Sequence, residues 1–350
     1  MAVSHPYVDQ LAGISPLVKY TMEKFSQFRD KGSGISPFIP VKTGLSPVAS
    51  VFHTFLFFVR LPIFITYVAA YFLFLQHLPF LPVAVRKVLL WGMMGIPGIW
   101  WVDLQLDGVR RGTLAEQPPQ RFPHPGSVIA ANFTSPIDAI YLAAIFDPIF
   151  TVSYPNTRSV EQISLLRAVC HAFSPVRFAP RPGARLTDLA ALLRKYPDRV
   201  VAVFPEGGTT NGKGVLPFTP SLLAVDPEVH IFPVSIRYTP ADVTTPVPAR
   251  WFKFLWDLLS RPTTCIRVRV AESILNSSAA QSNGVSSSVA DAAAAAHRRT
   301  AAGADPALSI EEQRVLDKVG EALARLCRNK RVGLTLRDKE AFIEAWNGRK

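Results

Sequence analysis

Chemistry concentrates first in Val201-Ala202-Val203-Phe204-Pro205-Glu206-Gly207-Gly208-Thr209-Thr210-Asn211-Gly212. An apolar run, read as a buried strand over Val200–Phe204, delivers a Pro-Glu-Gly turn and then a loop of glycines and hydroxyls. Glycines let backbone amides close on a ligand, and amides in such a loop bind anions. Glu206 sits at the mouth of the strand, where it can bond local amides or a substrate hydroxyl. Gly207 to Gly214 reads G-x-x-x-x-G-K-G. The hydroxyl that would hold magnesium in a nucleotide-binding loop is missing, so nucleoside triphosphate binding is not expected. A second cluster, Ala131-Asn132-Phe133-Thr134-Ser135-Pro136-Ile137-Asp138, joins a strand end to a helix start. Cys170, Cys265 and Cys327 are scattered, without CxxC or Cys/His spacing. That argues against a disulfide framework and a metal site, and favours a reducing, cytosol-facing location.

The elements that must position these clusters alternate. Ser127–Ala131, Ile149–Tyr154, Val176–Ala179, Val200–Phe204, Val229–Tyr238 and the run Ile266–Val270 read as strands. Ile137–Phe146, Val160–Ala172 and Ala184–Tyr196 have helical spacing. Strands separated by helices imply an α/β fold, a mixed sheet covered by helices. A final helix opens on the capping box Ser309-x-x-Glu312, with acids early and bases late, as the helix dipole favours.

In front of this domain the texture is different. Residues 1–50 form a basic segment rich in Pro, Gly and Ser. Residues 51–102 form an apolar membrane-associated hairpin of two blocks. The first, Leu61 to Val85, is long enough to span a bilayer core of about 30 Å, although Pro62, Pro79 and Pro82 argue against one straight helix. The second, Val88 to Val102, is broken by Gly92, Gly95, Pro97 and Gly98, and reads as re-entrant or interfacial. Basic residues at both outer ends favour cytosolic ends, and Trp91, Trp100 and Trp101 suit an interfacial belt. Residues 103–275 form the α/β domain, 276–304 a Ser/Ala-rich linker and 305–350 a C-terminal helical segment.

Composition fits this division. The net charge is +12, yet only 18% of residues are charged and 49% are hydrophobic. Nucleic-acid binders are rich in charge of both kinds, so no nucleic-acid partner is expected. A basic chain this apolar suits a membrane carrying anionic lipid or a phosphorylated substrate.

The two clusters together resemble the glycerolipid acyltransferases, the PlsC-type fold. The segment around Phe133 and Asp138 resembles that family's first motif, a His, four residues, then Asp. FPEGGTTNG resembles the third motif, and Phe232-Pro233-Val234-Ser235-Ile236 the fourth. Val176-Arg177-Phe178-Ala179-Pro180-Arg181 is a looser second motif, without the usual leading glycine. The resemblance covers roughly residues 105–275. Segments near both ends, Met22–Phe25 and Arg29-Asp30 with Ser36-Pro37-Phe38, and Gly333–Lys339, resemble the fungal lysophosphatidic acid:oleoyl-CoA acyltransferase branch of endoplasmic reticulum and lipid droplets. FPEGGTTNGKGVLPF is also similar to the lysophosphatidylcholine acyltransferases, which leaves the head group open.

The resemblance implies acyl transfer from acyl-CoA, a co-substrate, to a lysophospholipid, lysophosphatidic acid above all, with no metal or prosthetic group. It implies that Arg181, with Arg177 as the alternate, and Glu206, Gly207, Gly208, Thr209, Thr210 and Asn211 hold the acceptor. In the family mechanism the His takes the acceptor's hydroxyl proton and the Asp orients its ring. Here the His position carries Phe133, which cannot take a proton. Three readings follow. Asp138 acts as base, directly or through water, assisted by Thr134 or Ser135. Or another histidine, His124 or His171, reaches in. Or the chain binds lipid without turnover, as a lipid-binding or trafficking protein on the same fold.

Overall fold

The computed structural model describes residues 25–44, 46–78, 81–109, 112–277 and 308–348. The expected linker 276–304 falls almost entirely outside these residues.

Helix α1 (Pro47–Leu73) starts where Ser46 accepts a hydrogen bond from the Ala49 amide (3.3 Å) and Pro47 fills the first turn. It runs through Pro62 without ending. At 1.5 Å per residue it is about 40 Å long, enough to cross a bilayer core. Together with the turn to His77 it is long and apolar enough to cross a membrane, and only 17% of its most apolar window is buried. Yet it is not detached. Arg60 in its middle donates to the carbonyls of Pro97 (3.3 Å) and Pro262 (3.2 Å), and to that of Arg261.

Helix α2 (Val83–Gly95) is too short to span and buries Leu90, Met93 and Met94. The second apolar block therefore supplies no second span: α2 packs beside α1, where the Tyr67 hydroxyl donates to the Leu89 carbonyl (2.9 Å), and the end of the block enters the main sheet as β1 (Trp101–Leu106). Trp100 and Trp101 remain 66% and 70% exposed.

The domain proper runs β2 (Val128–Ala131), α3 (Pro136–Phe146), β3 (Ile149–Ser153), β4 (Val160–Ile163), α4 (Leu165–His171), β5 (Leu186–Thr187), α5 (Leu189–Lys195) and β6 (Val201–Val203). It continues with β7 (Gly214–Val215), β8 (His230–Thr239), α6 (Trp251–Ser260), β9 (Cys265–Val270) and β10 (Ile274–Leu275). Helix α7 (Ile310–Cys327), β11 (Lys330–Arg331) and α8 (Leu336–Asn347) follow. The capping box expected at Ser309 and Glu312 is formed.

Nine strands make one mixed sheet in the order β1-β9-β8-β2-β6-β3-β4-β5, with β10 beside β8. Strands β8, β2, β6 and β3 are parallel neighbours, in register Val128↔Val201 and Val128↔Ile231. β2 and β6 are buried along their whole length, as continuous apolar runs in a covered parallel sheet must be. The antiparallel strands flank this centre. A separate parallel pair, β11 with β7, ties the C-terminal segment to the domain.

Two expected elements differ. Val160–Ala172 is not one helix. The β-branched Val160 and Ile163 join β3 as β4, and Ser164 caps the shorter α4 by accepting from the Arg167 amide (3.3 Å). Val176–Ala179 is not a strand. Pro175 and Pro180 flank it, and proline offers no ladder donor. It passes instead as irregular chain beyond α4. Ala184–Tyr196 is likewise divided, into β5 and α5.

Candidate active site

The clusters meet at the carboxyl ends of β2, β6 and β8, where open α/β sheets place their ligands. After β2 the chain turns into α3. Ser135 is the helix cap and Asp138 the third helical residue, and the two form a capping box with Pro136 in the first turn. Asp138 Oδ2 accepts from the amides of Thr134 (2.7 Å) and Ser135 (2.9 Å) and from Thr134 Oγ1 (3.2 Å). Its Oδ1 accepts from the Tyr238 hydroxyl. The side chain is fully buried. Burial pushes its pKa up to about 6, against the pull of these donors. The Ser135 hydroxyl donates to the Val243 carbonyl (2.9 Å). Asp138, Thr134 and Ser135 thus spend their polar atoms on the turn and on tying it to Tyr238 and Val243.

Phe133 is 1% exposed. Its ring stacks on Phe204 (centroids 4.3 Å apart) and lies nearly parallel to the His171 ring (5.8 Å, 15°). A histidine therefore lies one ring away from the motif position that lacks one. His124 is elsewhere: its Nδ1 is 3.0 Å from the Phe122 carbonyl and its ring packs on Phe232.

Beside His171 opens a cavity of about 150 Å³. Arg167, Arg177 and Arg181 line it, with Glu161, Tyr154 and Cys170. Glu161 accepts from Tyr154 (2.6 Å) and Arg167 (2.7 Å), which fills both its oxygens. Arg177 and Arg181 make no side-chain hydrogen bond or ion pair with any described residue. Three guanidiniums against one carboxylate leave two positive charges uncompensated, the charge complement of a phosphate monoester.

Across the last turn of α4 lies a second cavity of about 170 Å³. Val169, Phe173, Phe64, Met93, Ile137 and Phe254 are among its apolar walls. α4 thus turns Cys170 and His171 to the basic cavity and Val169 to the apolar one.

The Gly207–Asn211 loop is sealed. Glu206, Thr209, Thr210 and Asn211 are buried, and none of the loop lines the basic cavity. Asn211 Nδ2 donates to the carbonyls of Ser36 (2.7 Å) and Ile39 (2.8 Å), and the Thr210 amide to that of Phe133 (2.9 Å). Lys339, from α8, reaches in and donates to the Thr209 carbonyl (2.7 Å) and Oγ1 (3.2 Å). Gly207 takes φ +66°, and a Cβ there would meet Leu336 Cδ1 at 2.9 Å. A Cβ on Gly208 would meet Leu336 at 3.0 Å and Lys339 Nζ at 3.2 Å. These glycines admit a helix rather than a ligand. Burial pushes the Glu206 carboxyl up to about 8 and the Lys339 ammonium down to about 7, each opposed by the charge of the other.

Of the residues the sequence singled out, Arg177 and Arg181 meet His171 at one cavity, while Glu206 to Asn211 lie apart. Sequence reasoning missed Lys339, Arg167, Glu161 and Tyr238. One signal for Lys339 was available: Leu336, Lys339 and Phe342 recur at helical spacing, and all three are buried.

Comparison with known proteins agrees with the motifs. Residues 115–237 match the Acyltransferase family. The chain is 30% identical over 244 residues to the "Putative lysophosphatidic acid:oleoyl-CoA acyltransferase" of Schizosaccharomyces pombe, a match covering 65% of this chain and 77% of the relative. It is 24% identical over 205 residues to "Lysophosphatidic acid:oleoyl-CoA acyltransferase 1" of Saccharomyces cerevisiae, covering 57% of this chain and 61% of that one.

Proposed function

The chain belongs to the acyltransferase family, and from that premise we propose that it transfers a fatty acyl chain from acyl-CoA to the free hydroxyl of a lysophospholipid, lysophosphatidic acid foremost, to give phosphatidic acid. The observation that carries this reading is the pair of cavities divided by α4, one basic and one apolar. A lysophospholipid has the same two halves. Arg177 and Arg181 hold the acceptor's phosphate. The apolar cavity, walled partly by α1 and α2, takes acyl chain arriving from the bilayer. Asp138, through Thr134 and Ser135, fixes the turn that orients Phe133. No metal or prosthetic group takes part. α1 holds the domain on the cytosolic face of the endoplasmic reticulum or of lipid droplets, with its apolar side in lipid.

Purified full-length protein in phosphatidylcholine vesicles, given labelled oleoyl-CoA and a panel of lysolipids, tests the reading. Label should pass fastest to lysophosphatidic acid, giving phosphatidic acid, more slowly to lysophosphatidylcholine, giving phosphatidylcholine, and slowest to monoacylglycerol, giving diacylglycerol. Equal rates for all three acceptors would remove the basic cavity from substrate recognition. No turnover with any of them would end the reading.

A further inference from the structure

His171 ends α4 with its ring alongside Phe133 and on the wall of the basic cavity. Its ring makes no hydrogen bond to any described residue. The other groups able to accept a proton there are committed. Asp138 is sealed under Tyr238 and two amides, Glu161 is held by Tyr154 and Arg167, and the Ser135 hydroxyl is spent on Val243. Among the described histidines and carboxylates lining the cavity, His171 is the one whose ring nitrogens make no hydrogen bond, and it is half-buried.

We propose that His171 is the catalytic base of this chain, taking the acceptor's hydroxyl proton, and that it does so only while the acceptor's phosphate occupies the arginines around it. This inference rests on the acyl-transfer reading above. The acceptor oxygen bonds to the thioester carbonyl carbon as its proton passes to the His171 ring. The carbon–sulfur bond then breaks, and the same proton leaves with the sulfur as the thiol of CoA. Phosphate and free hydroxyl sit on neighbouring carbons of a lysophosphatidic acid, so a cavity that holds one holds the other.

The phosphate requirement follows from what faces the ring. Lys339 approaches from α8, Arg177 and Arg181 from the chain beyond α4, and Glu161 from β4. Arg167 on α4 and Tyr154 after β3 complete the wall. Burial first, then the charges of Lys339, Arg177 and Arg181, hold His171 down to about 4, against the opposing charge of Glu161. A ring so poor in proton affinity is a weak base. A bound phosphate offsets the nearby cations and so raises its basicity at the moment the hydroxyl arrives. An uncharged acceptor brings no such correction.

Two measurements decide this. His171→Asn keeps size and polarity, and its fold is checked by circular dichroism and Tm. With lysophosphatidic acid its kcat should fall about 100-fold or more, with KM within about threefold. A kcat within about threefold of wild type would overturn the proposal while leaving the acyltransferase reading intact. Failure of the wild-type protein to acylate any lysolipid would instead strike the reading beneath it. Second, a histidine-ring NMR titration, with the His171 signal identified by its absence in His171→Asn, is run with and without inorganic phosphate. Phosphate should raise the His171 pKa by about one unit or more. An unmoved titration under saturating phosphate would overturn the phosphate requirement. The same shift surviving in Arg177→Ala/Arg181→Ala would do so as well.

Discussion

After β6 the chain buries its charge and closes over it; beyond α4 it gathers charge and leaves it open. Glu206 and Lys339 are each almost fully enclosed, and the loop between them is tied to segments from both ends of the chain. Arg177 and Arg181 are half-buried and exposed respectively, and pair with no described residue. The closed region is conspicuous in sequence and serves as a frame. The open region is inconspicuous and has the free valences that substrate needs. Conspicuous glycines can therefore mark tight packing rather than a ligand.

The contrast predicts that the two regions fail differently. The largest effect belongs to the open one. Arg177→Ala/Arg181→Ala removes two charge-assisted contacts, each worth about 1.5–3 kcal/mol. The double variant should lose about 10²–10⁴ in kcat/KM for lysophosphatidic acid, much less for monoacylglycerol, and change Tm little. A large drop in Tm would show that the arginines belong to the frame.

The closed region should answer in stability. Phe342 is fully buried among Phe25, Phe28, Phe38 and Trp346, behind the face of α8 that carries Lys339. Phe342→Ala should cost about 3–5 kcal/mol by urea unfolding. Molecules still folded at low temperature should keep most of their turnover. Turnover lost with little change in stability would mean that α8 acts on substrate directly.

A smaller effect separates the buried pair by pH. Glu206 in the folded chain keeps its proton up to about 8, whereas an unfolded glutamate releases it near 4.5. Between those values the folded state holds the extra proton, so stability falls as pH rises. Lys339 acts in the opposite sense. Folded, it loses its proton near 7, against 10.5 unfolded, so stability climbs from neutral to alkaline pH. The wild type should be least stable near pH 7–8. Glu206→Gln should abolish the acid-side fall, at most about 1.4 kcal/mol per pH unit, and keep the alkaline rise. An unchanged acid-side slope in Tm against pH would place the titration elsewhere.

What the sequence disclosed, and what it hid, follows the range of each interaction. The strands around Phe133 and Glu206 were legible because burial on both faces writes a short continuous apolar run. The cap at Ser309 was legible because it closes within four residues. β4 was hidden, since Val160–Ala172 satisfies helical spacing until pairing with β3 and β5 claims its first turn. With it went Glu161 and Arg167, which point into the cavity only because the segment divides at Ser164. Lys339 was hidden by distance. It lies 130 residues from Thr209, on a helix whose Arg, Asp, Lys and Glu read as a solvated face. β1 was hidden by composition, because Trp101 and Val102 end a run that otherwise reads as membrane.

The smallest effect tests whether the turn at Ser135 belongs to the frame or to the chemistry. Ser135 sits between the regions, four residues past the end of β2 and one ring from His171 by way of Phe133. As a cap its hydroxyl receives the Ile137 amide at 3.4 Å, a weak contact, and donates to Val243 at 2.9 Å, a better one. Ser135→Ala leaves the Asp138 carboxylate still bonded to the Thr134 and Ser135 amides, which do not depend on the hydroxyl. The expected loss is therefore that of one helix cap, about 1 kcal/mol in unfolding free energy. The kcat of the folded protein should stay within about twofold. A frame residue loses stability and spares rate; a proton relay does the reverse. If Ser135→Ala lowered kcat tenfold at unchanged Tm, the proton's path would run through α3 and Asp138, and the open cavity would keep only the phosphate.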